Sequence, residues 1–278
     1  MSKVWFVTGS SRGLGRAIVE AALVAGDRVV ATARKPEQLD DLRARHGDRL
    51  LPVALDVTND DDVRKAVQHG LEVFGRLDVV VNNAGYGDLG SVEDVALEDF
   101  RAQIDTNFYG VVHVTKAVLP TLREQGSGHV FQVSSLGGRI GTPGLAAYQS
   151  AKWAVGGFST VLAQEVAPFG VKVTVLEPGG MRTDWAGSSM TIPPVSEPYR
   201  QTVGVFAEML RGGDPEAAAA QSADPARVAS IIADLAGRED APVRVLLGRD
   251  AVRYWDAAGA ALAESDAKWR ALSESAWD

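Results

Sequence analysis

Hydrophobic residues in this chain fall into short unbroken runs, separated by longer stretches in which they recur every three to four positions. Val4 to Val7 is the first run, β-branched and aromatic throughout, as expected of a strand covered on both faces. Ala17 to Leu23 then has the helical repeat. The alternation continues with predicted strands at Arg28–Ala33, Leu50–Leu55, Leu77–Val81, His129–Ser134, Val171–Leu176 and Val243–Leu247. Between them lie predicted helices at Pro36–His46, stopped by Gly47, and from Thr58 to Phe74, opened by the Thr58/Asp61 pair. Two more follow, a long one at Leu97–Gln125 and another from Tyr148 to about Ala167. Strands joined by helix-length crossovers imply the α/β class: a doubly wound, seven-stranded parallel sheet with helices on both faces. No repeat or linker interrupts residues 1–278, so a single domain is expected.

Two stretches break the alternation. Residues 180–224 follow a strand and hold Met181, Trp185, Met190, Ile192, Pro193, Pro194 and Pro198, with a short helix expected at Glu197–Leu210. An insertion at the carboxyl end of a strand lies where ligands bind in such sheets, and it is read as a substrate lid. Residues 250–278 carry Tyr254, Trp255, Trp269 and Trp277 among alanines, and read as one or two amphipathic helices packed on the body.

Composition narrows the function classes. A net charge of −8 and a pI near 5.1 argue against a nucleic-acid surface. Zero cysteines removes disulfides, thiolate metal sites and cysteine nucleophiles. His46, His69, His113 and His129 show no ligand spacing, so no metal site is expected. The run at Val4–Val7 is too short for a signal sequence or a membrane span, and a cytoplasmic location is the expectation.

Candidate chemistry concentrates at two places. Thr8-Gly9-Ser10-Ser11-Arg12-Gly13-Leu14-Gly15 joins the first strand to the first helix, the setting in which backbone N–H groups and a helix dipole hold a pyrophosphate. Tyr148 and Lys152 stand four apart on one helix and so share a face. A cation beside a phenol favours the phenolate, which makes the pair a candidate proton-transfer device.

These motifs, with Asn82-Asn83-Ala84-Gly85, Ser135 and Pro178-Gly179, occur in the order found in short-chain dehydrogenases/reductases (SDR), with their TGxxxGxG, NNAG, YxxxK and PG motifs. The chain resembles that family from residue 4 to about 250. The resemblance implies a Rossmann-type sheet and an oxidoreductase in which Tyr148 is the acid/base, Lys152 lowers its pKa and holds the nicotinamide ribose, and Ser135 bonds the substrate oxygen. Ser135 lies thirteen positions before Tyr148, the family's spacing; Ser134 should face the other way on an extended strand end. Asn107 matches the asparagine that anchors a water relay to the lysine.

The resemblance also implies a dinucleotide held by Gly9, Ser11, Arg12, Gly13, Leu14 and Gly15 in the first turn. Arg34, Asp56 and Val57 follow the second and third strands, and Asn83, Ala84 and Gly85 the fourth. Tyr148 and Lys152 would touch the nicotinamide end, with Pro178, Gly179, Met181 and Thr183. Ala33 occupies the position where a carboxylate would bond both ribose hydroxyls; Arg34 comes next and Arg12 sits in the glycine turn. The expected cofactor is therefore NADP(H).

For the substrate, Tyr86, Trp185, Met181, Met190 and Ile192 suggest an apolar pocket, and the last strand and tail look like those of reductases related to retinol and hydroxysteroid dehydrogenases. A hydrophobic ketone, aldehyde or secondary alcohol is the expectation. Family members usually dimerise through the long helices flanking the fifth strand, where Val111, Val112, Val114, Val118, Phe158, Val161 and Leu162 could serve as interface or as core. Two alternatives stand beside this reading: a non-catalytic NADP(H)-sensing regulator on the same fold, and a sugar-nucleotide epimerase or dehydratase sharing YxxxK.

Overall fold

The structure, a computed structural model, describes residues 2–183, 190–212 and 222–277. Its frame is a seven-stranded, wholly parallel sheet in the order β3-β2-β1-β4-β5-β6-β7. The strands are β1 Val4–Val7, β2 Arg28–Ala33, β3 Leu50–Ala54, β4 Val79–Asn82, β5 Gly128–Val133, β6 Val171–Pro178 and β7 Arg244–Leu247. Every β1 side chain is buried, and alternate residues serve opposite faces. Trp5 and Val7 join Ile18, Val29, Phe131 and Ile232 on one side, and Val4 and Phe6 join Val30, Val80, Val130 and Val173 on the other.

The first face is covered by α1 (Gly13–Val24), by α2 (Asp40–His46) through Leu42, and by the Pro225–Leu235 helix, the second by helices that include α3 (Asp60–Phe74) and α5 (Gly110–Gln125). The expected Thr58 cap lies one residue early: Asn59 caps α3 by accepting from the Asp61 and Asp62 N–H groups, while the Thr58 hydroxyl donates to Asp56. The long helix expected at Leu97–Gln125 is present as α4 (Leu97–Ile104) and α5, joined by one π-turn at Asp105–Tyr109 that carries Asn107. Val111, Val114, Val118 and Leu162 are core residues; Val161 stays exposed.

The tail differs from the expectation. Arg249–Glu274 is one helix of 26 residues, and only Ala251 on it is buried. Trp255 meets the body beneath the Arg139 guanidinium, 4.9 Å from the ring centroid; beyond Gly259 every described residue is exposed. The alanine-rich sequence favours helix strongly but offers little area to pack, so the helix continues past the body.

Arg139 also belongs to the main buried ion cluster. Glu177, fully buried at the end of β6, accepts from Arg139 Nε at 2.7 Å and from Arg244 Nε at 3.0 Å. A carboxylate there survives only because two guanidinium groups meet it. Glu177→Ala leaves both without a carboxylate partner, and is expected to cost about 3 kcal/mol, lowering Tm by on the order of 10 °C in a thermal melt. An unchanged Tm would show that the cluster contributes nothing.

Among the described residues no helix is long and apolar enough to cross a membrane.

Candidate active site

The chain runs β1 to β3 toward one edge of the sheet, then returns to place β4 on the other side of β1. The crevice between the carboxyl ends of β1 and β4 is the switch point at which ligands bind in such sheets. The glycine turn leaves β1 here, and Asn83 ties the two strand ends together. Its Nδ2 donates to the Thr8 carbonyl at 2.9 Å and the Gly9 carbonyl at 3.1 Å, while the Thr8 hydroxyl accepts from the Asn83 and Ala84 N–H groups.

Gly9 and Gly13 have φ of +66° and +55°, which a side chain would strain. A methyl group on Gly15 would fall inside contact distance of the Gly9 carbonyl and Asn83 Nδ2. Among the described residues one on Gly13 would meet the Thr183 side chain, at 3.6 Å, so the predicted residues Gly13 and Thr183 do come together. Among the described residues no side chain caps α1 and its first turn holds no acid. The glycine cradle and the uncapped, acid-free helix end fit the pyrophosphate of a dinucleotide. Leu14 packs in the core and can face a ligand only through its backbone. Arg12 and Arg34 are exposed beside the crevice mouth's strand ends. One Asp56 oxygen is taken by the Thr58 N–H and hydroxyl, and Val57 is buried beneath, its carbonyl 3.0 Å from His113 Nδ1.

The second half of the site is built on β5 and α6 (Ala146–Val166). Tyr148, Ala151, Lys152 and Val155 lie on the buried face of α6. Ser135 continues β5, its Oγ accepting from the Gly137 N–H at 3.0 Å and bonding the Tyr148 hydroxyl. Ser134 points the opposite way, donating to the Lys152 carbonyl at 3.0 Å. Lys152 Nζ donates to the Val133 carbonyl at 2.8 Å and lies 5.6 Å from the Tyr148 ring centroid.

The expected acidification of Tyr148 by Lys152 is not what the geometry gives. Burial pushes the phenol up to about 12, against the lowering effect of the Ser135 hydrogen bond. Burial also lowers the Lys152 ammonium, to about 8. Both groups are desolvated, and desolvation favours the neutral form of each.

Asn107 sits against the Tyr86 backbone, donating to its carbonyl at 2.8 Å and accepting from its N–H at 3.2 Å. Gly85 is the spacer between Asn107 and Lys152: a side chain there would meet Asn107 Oδ1 and, at 3.5 Å, the ammonium. Tyr86 is half-buried, and its phenol is raised by burial and by Asp88. Pro178 ends β6, and the N–H of Gly179 after it donates to the Leu247 carbonyl at 2.9 Å. Met181 pairs with Ala223 and packs on the core. Met190 and Ile192 join Leu89, Leu145 and Val203 in a satellite cluster close to the start of α6. Trp185 lies outside the described residues.

A profile of the short chain dehydrogenase family matches residues 3–191. The chain belongs to that family. It is an oxidoreductase by kinship: oxidoreductase BOA17 of Botryotinia fuckeliana (strain B05.10) is 61% identical over 274 residues, covering 98% of each chain. A short-chain dehydrogenase from Streptomyces avermitilis superposes with a TM-score of 0.91 at 37% identity, covering 98% of this chain and 97% of the other. The 3-ketoacyl-(acyl-carrier-protein) reductase of Brucella melitensis, solved with NADH, superposes at 0.74 with 26% identity over 88% and 96%.

Three positioning side chains were given no role by the motif reading. Thr8 carries the hydrogen bonds that align β1 with β4, and its place just before a glycine turn was the available signal. Asp250, at the start of the tail helix, accepts from the Gly180 N–H at 2.7 Å and so anchors the turn after β6; 70 residues separate the partners, and no local pattern announces them. Gln149 clamps Thr142 through both amide atoms, fixing the loop before α6.

Proposed function

We propose that the chain is an NADP(H)-dependent oxidoreductase interconverting a hydrophobic ketone or aldehyde and its alcohol, with Tyr148 as acid/base. The observation that carries this reading is a buried Tyr148 hydroxyl bonded to Ser135, one helical turn from Lys152, beside the glycine crevice. Bound nicotinamide would supply or take the hydride. Tyr148 is protonated at neutral pH and would hand its proton to the carbonyl oxygen, with Ser135 Oγ as the second donor to that oxygen. The Lys152 charge would favour the phenolate as it forms and would bond the nicotinamide ribose. Asn107 would hold the Gly85–Tyr86 turn and the approach to Lys152.

Gly9, Ser11, Arg12, Gly13, Leu14 and Gly15 would cradle the pyrophosphate, and Asp56, Val57, Asn83, Ala84 and Gly85 the adenosine half and its ribose. Pro178, Gly179, Met181 and Thr183 would line the nicotinamide end, with Tyr86 and Trp185 toward the substrate. Residues 180–224 would act as the substrate lid, and the satellite cluster under Met190 supports an apolar occupant.

NADP(H) follows from Ala33, which brings no carboxylate to the end of β2, and from the exposed Arg34 and Arg12. Arg34→Asp is expected to weaken NADPH binding at least tenfold and NADH binding little, as read by fluorescence titration. Equal use of both cofactors by the wild type would contradict this.

The Lys152 value sets the pH dependence. Below about 8 the ammonium is charged and carbonyl reduction is independent of pH; above it the charge is lost and kcat/KM falls as pH rises. A reduction profile that climbs between pH 8 and 9 would remove Lys152 from this role.

The test of the reading as a whole is a panel of aromatic ketones, steroid-like ketones, aldehydes and acyl-thioester ketones, followed by NADPH absorbance. Turnover of an apolar member is expected; binding of NADPH with no turnover would favour the sensing regulator.

A further inference from the structure

The helix Arg249–Glu274 leaves the body halfway along its length. Ala251 is buried, Trp255, Ala258 and Gly259 are half-buried, and residues 260–277 are all exposed. The projecting part is about 22 Å long at the helical rise. A free helix of that length is marginal in water. Its inner stripe is nevertheless patterned for contact. Trp255, Leu262, Trp269 and Ala276 recur every seven residues, and Ala251, Ala258, Ser265 and Leu272 recur every seven between them. The resulting four-three spacing is that of a two-helix seam. The inner end of the seam rests on the body through Trp255 and Arg139. Its outer end is bare, with Leu262 56%, Trp269 53% and Leu272 66% exposed.

We propose that this arm pairs with the same arm of a second copy of the chain, antiparallel, about a two-fold axis that crosses the seam at the level of residue 267, between Ser265 and Trp269. An antiparallel pair sets each member of one heptad row against a member of the other row, so Trp269 meets Ser265 of the second copy and Leu262 meets its Leu272. Large side chains then fill the gaps left by small ones, and the surface is complementary to itself, as a two-fold interface requires. A parallel pair would stack Trp269 on Trp269 and Ser265 on Ser265.

The ends are complementary as well. Trp277, 95% exposed, reaches the base of the partner's helix, where an open groove of about 720 Å³ is lined by Leu246, Gly248, Val252, Arg249, Arg253 and one carboxylate, Asp256. Those two arginines meet the negative end of the incoming helix. Two tryptophans and two leucines from each arm, with the groove, give a contact on the order of the ~800 Å² per partner that a specific dimer buries. The polar face argues against an anionic membrane as the occupant. Glu264, Asp266 and Glu274 outnumber Lys268 and Arg270 on a chain of net charge −8, whereas interfacial helices are rich in Lys and Arg.

Sedimentation equilibrium of the full chain tests the pairing. Leu262→Asp with Trp269→Asp is expected to halve the particle mass and leave kcat unchanged, while Ala267→Asp, on the outer face, leaves the mass alone. Because the chain has no cysteine, Asp266→Cys reports orientation directly. Beside the axis it should join two copies by a disulfide on mild oxidation, and Ala260→Cys should not. A wild-type mass equal to that of the double variant overturns the proposal. So does capture of the wild type by vesicles of anionic phospholipid with no change in mass, or cross-linking by Ala260→Cys and not Asp266→Cys.

Discussion

Tyr148→Phe is expected to lower kcat for carbonyl reduction by about 10²–10⁴ while NADPH binds as tightly as before. The hydroxyl is the only atom removed, and the ring keeps its buried place on α6. The loss should be largest where the substrate oxygen needs a full proton, and small for any step that only binds dinucleotide. Ser135→Ala should also lower kcat, by less, since it removes a hydrogen bond and leaves the donor. Stopped-flow absorbance with saturating NADPH separates the two. A Tyr148→Phe variant with wild-type turnover would take the phenol out of the chemistry. One that loses NADPH along with turnover would point to a structural role for the hydroxyl.

Gly15→Ala should abolish useful dinucleotide binding, raising Kd by about 10² or more. The added methyl would collide with the Gly9 carbonyl and with Asn83 Nδ2. A flexible side chain could retreat, but the first obstacle is backbone, and the second is held by two carbonyl acceptors. Relief requires the turn to move away from β4, which opens the crevice at the switch point. Overpacking of this kind costs about 1–3 kcal/mol, so a lower Tm should accompany the lost binding. Gly157→Ala is the matched control. A methyl there meets nothing within 4 Å on an exposed position of α6, and should be neutral or stabilise slightly. If Gly15→Ala binds NADPH like the wild type, the glycine turn is not the cradle.

The difference between these two positions shows what the sequence could and could not disclose. The strands were legible because both faces of a parallel sheet are covered, which leaves unbroken apolar runs such as Val4–Val7. The glycine turn and the Tyr148/Lys152 pair were legible because local geometry, a tight turn and one helical repeat, sets their spacing. The electrostatics of the pair were not. Whether a phenol beside a lysine goes up or down depends on burial, and burial here comes from elements far apart in the chain; it wins, and Tyr148 rises. Asp250 was hidden for the same reason, being brought to Gly180 only by the closing of β6 on β7.

The tail misled in the opposite direction. Its tryptophans and alanines do form an amphipathic helix, as their spacing predicts, but a stripe says only that a face wants cover. It cannot say whether the cover is the chain's own body. Trp255 found it in Arg139, and Trp269 did not. The cap of α3 is a smaller case: Thr58 and Asn59 are both capping residues, and Asp56 draws the Thr58 hydroxyl to itself and leaves the helix to Asn59.

The most direct measurement follows the hydride and the proton together. NADPH carrying deuterium at both C4 positions is incubated with the carbonyl panel, and the product alcohol is read by mass spectrometry. The account predicts deuterium on the carbinol carbon of an apolar product, with incorporation at least 10²-fold slower in Tyr148→Phe at equal NADPH occupancy. Deuterium that stays on the dinucleotide across the panel, or that transfers as fast without the Tyr148 hydroxyl, would contradict it.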